Sequence, residues 1–361
     1  MLFIHNFFKI MHEIFEKYFA KLGHHFVRNI SLVITAMLRC GAANTALIAK
    51  EMCRINGKNF KANDTTLFRF LQSKNFQINE KFWRLHINLL FDFLKEQNSI
   101  STTNPIQINI DYTTSYDDFM ILCASVILGD KSVIIYFTSR LYPKRKNQMD
   151  QKKMEAAFIK GLKQVLSKQY RYIIVADRGF GNDRFAKLCE ENNFAYVLRT
   201  NKNLSIKDDE KTEENLSEFD QTNHRNLNLY IKKWKKDCIF ETTTDKGSTW
   251  FLLKSSEELN GKEIYEKRFK IEKLFQDSKS SGFNIEKTKI KKYDRFKRIF
   301  YCTVLSHMFL VILGNFLESK TNNIKKNFAL LTKTLSAFLL LDLEHFPHSL
   351  INPSKSSIIL S

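Results

Sequence analysis

The chain has 361 residues, 43% hydrophobic and 26% charged, with a formal net charge of +19 and a sequence pI near 9.5. Its apolar content excludes a wholly disordered chain, and its length exceeds one ordinary domain, so a catalytic core with smaller flanking modules is expected. The basic excess points to a polyanionic partner, because Lys and Arg gain affinity by displacing counterions condensed on phosphates.

Six cysteines, Cys40, Cys53, Cys123, Cys189, Cys238 and Cys302, are scattered with no Cys-x-x-Cys pair, and no His spacing suggests zinc. Reduced thiols in a cytosolic protein are the simplest account. The first 20 residues are apolar but broken by His5, Lys9, Glu13, Glu16 and Lys17 in an amphipathic rhythm, unlike the uninterrupted run of a signal peptide.

In chain order, residues 1 to about 95 carry Phe, Leu and Ile at spacings of three and four and read as helical. Asn44 to Cys53 is expected as one helix, Arg54 to Phe60 as a turn containing Gly57, and Asp64 to Ser73 as a second helix capped by Asn63 or Asp64. As a helix-turn-helix this pair directs Thr65, Thr66, Arg69 and Lys74 toward DNA, although helix pairs also occur in any helical domain.

From Pro105 the period changes to two: Ile106, Ile108 and Ile110 alternate with Gln107, Asn109 and Asp111. Strand-like runs follow at Phe119 to Leu128 and Ser132 to Tyr142, then helical spacing from Met149 to Lys168 and a strand from Tyr170 to Ala176 ended by Asp177-Arg178-Gly179-Phe180-Gly181. A helix (Asp183 to Asn192) and a strand (Phe194 to Leu198) complete the order strand, strand, strand, helix, strand, helix, strand of an RNase H-like α/β core. Regularity lapses from about residue 201 to 246, with strand character near Asn226 to Lys232 and Lys236 to Thr242, and an acidic stretch from Asp208 to Asp220. A long basic helix is expected from Glu257, and the uncharged run Ile299 to Leu317 as a buried helix rather than a membrane span, because it holds Ser306, His307 and Asn315.

Three carboxylates stand out. Asp111 ends or nearly ends a strand, Asp177 ends another and Glu272 lies in the basic helix; hard cations such as Mg²⁺ take oxygen ligands, and a pair of ions can clamp the attacking and leaving oxygens of phosphoryl transfer. Asp117 and Asp118 are close enough to rival Asp111. On a regular helix Tyr265, Arg268, Glu272 and Lys279 share one face, with Ile264, Ile271 and Phe275 on an adjacent apolar stripe. That face suits a scissile phosphate: Glu272 toward metal, Arg268 and Lys279 toward phosphate oxygens, Tyr265 as hydrogen-bond donor or stacking platform.

The pattern Tyr265-x-x-Arg268-x-x-x-Glu272-x-x-x-x-x-x-Lys279, with Asp111 after its alternating strand and Asp177 in an Asp-Arg-Gly-Phe turn, resembles the YREK signature of DDE transposases of bacterial insertion sequences, the IS-four family. The resemblance, from about Asn44 to Gly314, implies an RNase H-like core with Asp111, Asp177 and Glu272 as metal-binding triad. It implies two Mg²⁺ ions, for which Mn²⁺ substitutes, and DNA contacts by Tyr265, Arg268 and Lys279. It further implies a β-rich insertion, here about 201–255, whose Trp250 or Trp234 is placed to hold a flipped base.

The resulting expectation is a helical, helix-turn-helix-like DNA-binding domain (1–100, with Arg69), an RNase H-like core (101–298), and a C-terminal helical region (299–361) available for dimerisation. Its partners are double-stranded DNA, as element ends and target, and a second copy on paired ends; no membrane is expected, and the place is the bacterial cytoplasm at the nucleoid. The other readings are a catalytically inactive DNA-binding remnant or repressor, and an RNase H-like nuclease without preference for element ends.

Overall fold

The computed structural model describes residues 2–96, 99–115, 119–141, 148–207, 213–216, 224–231, 233–245, 248–276, 283–288 and 290–320. The chain opens with α1 (Leu2–Phe19), α2 (His24–Cys40), α3 (Thr45–Asn56), α4 (Phe60–Gln72) and α5 (Glu80–Glu96). Asn44 caps α3 by accepting from the Ala46 and Leu47 amides, and Gly57 ends it at φ +72°, a left-handed conformation that glycine adopts without strain.

The cap of α4 differs from expectation. Asn59 accepts from Ala62 N, the helix starts four residues earlier than read, and Asn63 is buried inside it. The Asn63 side chain donates to the Lys58 and Asn59 carbonyls and so ties the inter-helix turn.

The first strands, β1 (Ile106–Ser115), β2 (Phe119–Leu128) and β3 (Lys131–Leu141), form the expected antiparallel meander. After α6 (Gln148–Val165), β4 (Tyr172–Gly181) pairs parallel to β1; after α7 (Asp183–Glu191), β5 (Ala195–Thr200) pairs parallel to β4. The inserted segment does not form a body of its own: β6 (Ser205–Lys207), β7 (Glu213–Asn215), β8 (His224–Ile231), β9 (Lys236–Asp245) and β10 (Ser248–Lys254) extend the same sheet. Its order is β3-β2-β1-β4-β5-β10-β9-β8-β6-β7, joined where β10 runs antiparallel to β5. The acidic stretch 208–220 lies largely outside the described residues.

Both faces of the central strands are covered. Ile106, Ile108, Ile110, Ile174, Ala176 and Leu198 join the main core, whereas Ile173, Val175, Val197, Trp250 and Leu252 form a second apolar cluster with Tyr265 on the opposite face. The helix expected from Glu257 is broken there into α8 (Gly261–Glu266) and α9 (Phe269–Gln276). Amides of Arg268, Lys270 and Ile271 bond the carbonyls of Tyr265, Lys267 and Arg268, three residues back rather than four, so the junction is a tightened turn.

The last helix, α10 (Tyr293–Lys320), is the one helix among the described residues long and apolar enough to cross a membrane, yet it is buried in the protein as expected, with Ile299, Leu305 and Ile312 fully enclosed. Arg298 fastens it to the N-terminal helices by donating to the Phe76 and Leu71 carbonyls.

Candidate active site

The polar side of β1 builds the site. Gln107, Asn109 and Asp111 alternate away from the main core, and because α8 covers that side, Asn109 is fully buried instead of facing water. Gln107 Nε2 donates to Asn109 Oδ1 at 2.7 Å and to the Ile264 carbonyl at 2.9 Å, pinning α8 to the strand. Asp111 and Asp177 lie inside their strands rather than at the ends, but each stands one residue beyond Ile110 and Ala176, the last parallel pair of β1 and β4. The β4 ladder to β5 also breaks after Ala176 and resumes only at Gly181. A Cβ on Gly181 would lie 1.9 Å from the Arg199 carbonyl, so this turn closes only with glycine there.

Arg268 sits at the centre. Its side chain is 2% exposed; Nη2 lies 3.3 Å from Asp111 Oδ2 and 3.5 Å from Asp177 Oδ2, and Nη1 donates to Glu272 Oε1 at 2.6 Å. Tyr265 OH donates to Asp177 Oδ1 at 3.0 Å, and Arg199 Nη1 approaches the same oxygen at 3.9 Å. In a turn tightened to three residues, positions three apart eclipse. Accordingly the Arg268 guanidinium lies 5.7 Å from the Tyr265 ring centre.

Burial raises the Asp111 carboxyl to about 6, against the pull of Arg268 and the Tyr112 amide and with the neighbouring charges of Asp177 and Glu272 adding to the rise. Asp177 goes the other way: burial opposes its charge, but the Arg178 amide, Arg268, the Tyr265 hydroxyl and Arg199 together hold it below the usual carboxylate range.

Three carboxylates of all-oxygen chemistry, gathered about one cation and opening to solvent with Glu272 51% exposed, fit a hard divalent ion such as Mg²⁺ or Mn²⁺. Asp111, Asp177 and Glu272 are the residues that would hold it.

The structure thus brings together Asp111, Asp177, Tyr265, Arg268 and Glu272, while Lys279 and the rivals Asp117 and Asp118 lie outside the described residues. Two expectations shift. Arg268 and Tyr265 face the carboxylates rather than open solvent. Trp250, 3% exposed, packs against Tyr265 and Phe269 as a core aromatic, and Trp234 packs against the main core. The aromatic that reaches solvent here is Phe269, 40% exposed. Arg69 is exposed on α4 together with Thr65, and Lys74 is exposed just beyond the end of that helix.

Sequence reading missed the anchor of the α8–α9 segment. From β9, Glu241 accepts from the Gly261 and Lys262 amides at 2.8 and 2.7 Å, where α8 begins. Lys254 of β10 donates to Glu241 Oε2 at 3.3 Å and to the Leu259 carbonyl at 2.9 Å, its side chain fully buried. A Cβ on Gly261 would meet Glu241 Oε2 at 2.8 Å, so glycine admits the carboxylate. The available signal was charge at inward positions: Glu241 and Lys254 share the strand face of Leu252 and Trp250, as does Arg199.

Residues 144–309 match the family model described as the transposase DDE domain. The match supports a DDE transposase, a nuclease-type enzyme. It spans Asp177 and Glu272 but begins beyond Asp111, whose place rests on the strand pattern and on the geometry. Among solved structures, the chain is similar to Ciona intestinalis endonuclease V in complex with a 24mer DNA containing an inosine followed by a ribo-adenosine. That likeness has 13% identity over 53% of this chain and 89% of the other at a TM-score of 0.27, too slight to bear on the site. No curated protein matches the chain.

Proposed function

We propose that the chain is the transposase of a bacterial insertion sequence, of the IS-four family and its YREK group, and that it moves DNA by cut-and-paste transposition. The observation that carries the reading is the convergence of Asp111, Asp177 and Glu272 on a single buried guanidinium, beside a domain match to DDE transposases. On this reading β1 to β5 with α6 and α7 are an RNase H-like core, and the helices before residue 100 bind DNA, with Arg69 of α4 toward the duplex.

Two Mg²⁺ ions, or Mn²⁺ in their place, would supply activation of water for strand cleavage and of the freed 3′-hydroxyl for attack on target DNA. The chain's own groups do the rest. Tyr265 holds one oxygen of Asp177 in place through its hydroxyl. Arg268 keeps three like charges together in the resting protein; released from them, its fork of donors suits a phosphate oxygen. Lys279 adds a further phosphate contact. Phe269, exposed beside the buried Trp250 and Tyr265, is the surface on which an unpaired base can stack, in place of Trp250 or Trp234. A homodimer on paired ends would work on chromosomal DNA in the cytoplasm.

The test is incubation of the protein with linear DNA carrying the inverted repeats that flank its gene, with Mg²⁺ and with EDTA. Mg²⁺-dependent cuts confined to the repeat ends are expected. Binding without cutting in Mg²⁺ would indicate an inactive remnant, and cutting without regard to the repeats would indicate a general nuclease; either result overturns the proposal.

A further inference from the structure

We propose that His12, Glu16 and His24 form a second metal site, for a divalent ion of the zinc class, separate from the carboxylate cluster and independent of the transposase reading. One ligand atom from each of the three lies within 4.8 Å of the others. His12 and Glu16 are one turn apart on α1, with His12 Nε2 at 3.6 Å from Glu16 Oε2. His24 opens α2 after the 3-10 turn Ala20–Leu22 and Gly23, whose φ of +95° lets the chain reverse and bring the two helices side by side.

The orientation of His12 is the second observation. Ser31, fully buried on α2, donates its hydroxyl proton to the Val27 carbonyl at 2.7 Å, so its Oγ is left to accept from His12 Nδ1 at 3.4 Å. With the proton on Nδ1, the lone pair on Nε2 points at Glu16. A metal-binding imidazole is held in just this way, by a hydrogen bond from its other nitrogen. The His24 ring completes the arrangement, nearly perpendicular to that of His12, with the two centres 6.0 Å apart at an interplanar angle of 80°.

Tetrahedral zinc with bonds of about 2.0–2.1 Å to nitrogen needs ligand atoms roughly 3.4 Å apart, so small side-chain rotations close the present spacing. Two imidazoles and one carboxylate select zinc, cobalt or nickel over magnesium. Glu16 and His24 are exposed, which leaves an entry path and a fourth position for water. Bound there, the ion ties α1 to α2 at the base of the helical region that carries α3 and α4.

The full chain is titrated with Co²⁺, and the visible absorption of tetrahedral Co²⁺ is followed, then displaced with Zn²⁺. One ion per chain is expected, with millimolar Mg²⁺ failing to displace it and a rise in Tm of about 5 °C at saturating Zn²⁺. His24→Ala and Glu16→Gln, both surface changes whose fold is checked by circular dichroism, should each weaken binding at least tenfold. His25→Ala, and the Asp111→Ala variant that disables the carboxylate cluster, should leave it unchanged. Equal Co²⁺ spectra in the wild type and the His24→Ala and Glu16→Gln variants, loss of the spectrum in Asp111→Ala, or no stoichiometric binding would overturn the site.

Discussion

Asp111 and Asp177 project from adjacent strands whose backbones are hydrogen-bonded in register, whereas Glu272 rides on an eight-residue helix entered through a tightened turn. The strand half is held by the sheet itself. The helical half is held by side chains: Gln107 on the Ile264 carbonyl, Glu241 and Lys254 at the start of α8, and Arg268 reaching back to the aspartates. The site is therefore adjustable from its helical side. Two ligands sit on a fixed platform, and the third is aimed by a few polar contacts that can be removed one at a time.

The largest stability effect is expected from cutting the anchor. Glu241→Gln leaves the buried Lys254 ammonium without its carboxylate and should cost about 3 kcal/mol. Hydrogen exchange should accelerate across residues 257–276 while β1 and β4 stay protected; uniform loss of protection would mean that the two halves are not separable.

Arg268→Met comes next. Its partners are partly exposed, which screens their repulsion, so about 2 kcal/mol is expected in metal-free buffer. Mg²⁺ should restore more of the Tm in this variant than it adds to the wild type, and an equal Mg²⁺ effect on both would contradict the role of Arg268 as the resting counter-ion.

Acid should loosen the strand half. His86, buried on α5 with Nε2 donating to the Ile134 carbonyl of β3, and His307, buried on α10, are both lowered to about 4 by desolvation. The unfolded chain therefore binds protons that the folded one refuses between pH 6.5 and 4, and stability is lost as pH falls through that window, by about 1.4 kcal/mol per histidine at pH 5.5. Asp111, raised to about 6, acts with the opposite sign, since its folded form takes the proton first. Two histidines outweigh one aspartate, so Tm should drop between pH 7.5 and 5.5, and more steeply in Asp111→Asn; a flat profile would contradict this.

The smallest structural effect belongs to Phe269→Ala, at under about 1 kcal/mol for an exposed side chain. Loss of base stacking should nevertheless weaken binding to an end with unpaired bases about tenfold, with duplex binding unchanged.

The core strands were legible because each carries its own period, and Asp111, Asp177, Tyr265, Arg268 and Glu272 could be named because their spacing resembles one signature. The break between α8 and α9 was not legible, since a helical wheel accepts Tyr265, Arg268 and Glu272 on one face whether or not the helix is continuous. Nor was the pairing of β10 with β5, which makes the insertion part of the sheet: no local pattern announces which edge a strand will join. Trp250 was misjudged for the same reason, because only the arrival of α8 buries it. The cap of α4 was not legible either: Asn63 or Asp64 is the expected cap, but Asn59 takes that place and Asn63 turns to accept from Asn56 of α3.

Asp111, Asp177 and Glu272 are changed singly to Ala, and Mg²⁺-dependent cleavage of end-bearing DNA is measured alongside binding of the same DNA. Each variant is expected to bind the ends, with cleavage falling at least a thousandfold in all three, on the order of 4 kcal/mol of lost barrier lowering. Full nicking activity by any one of them would remove that residue from the site and contradict the shared role drawn from their convergence on Arg268.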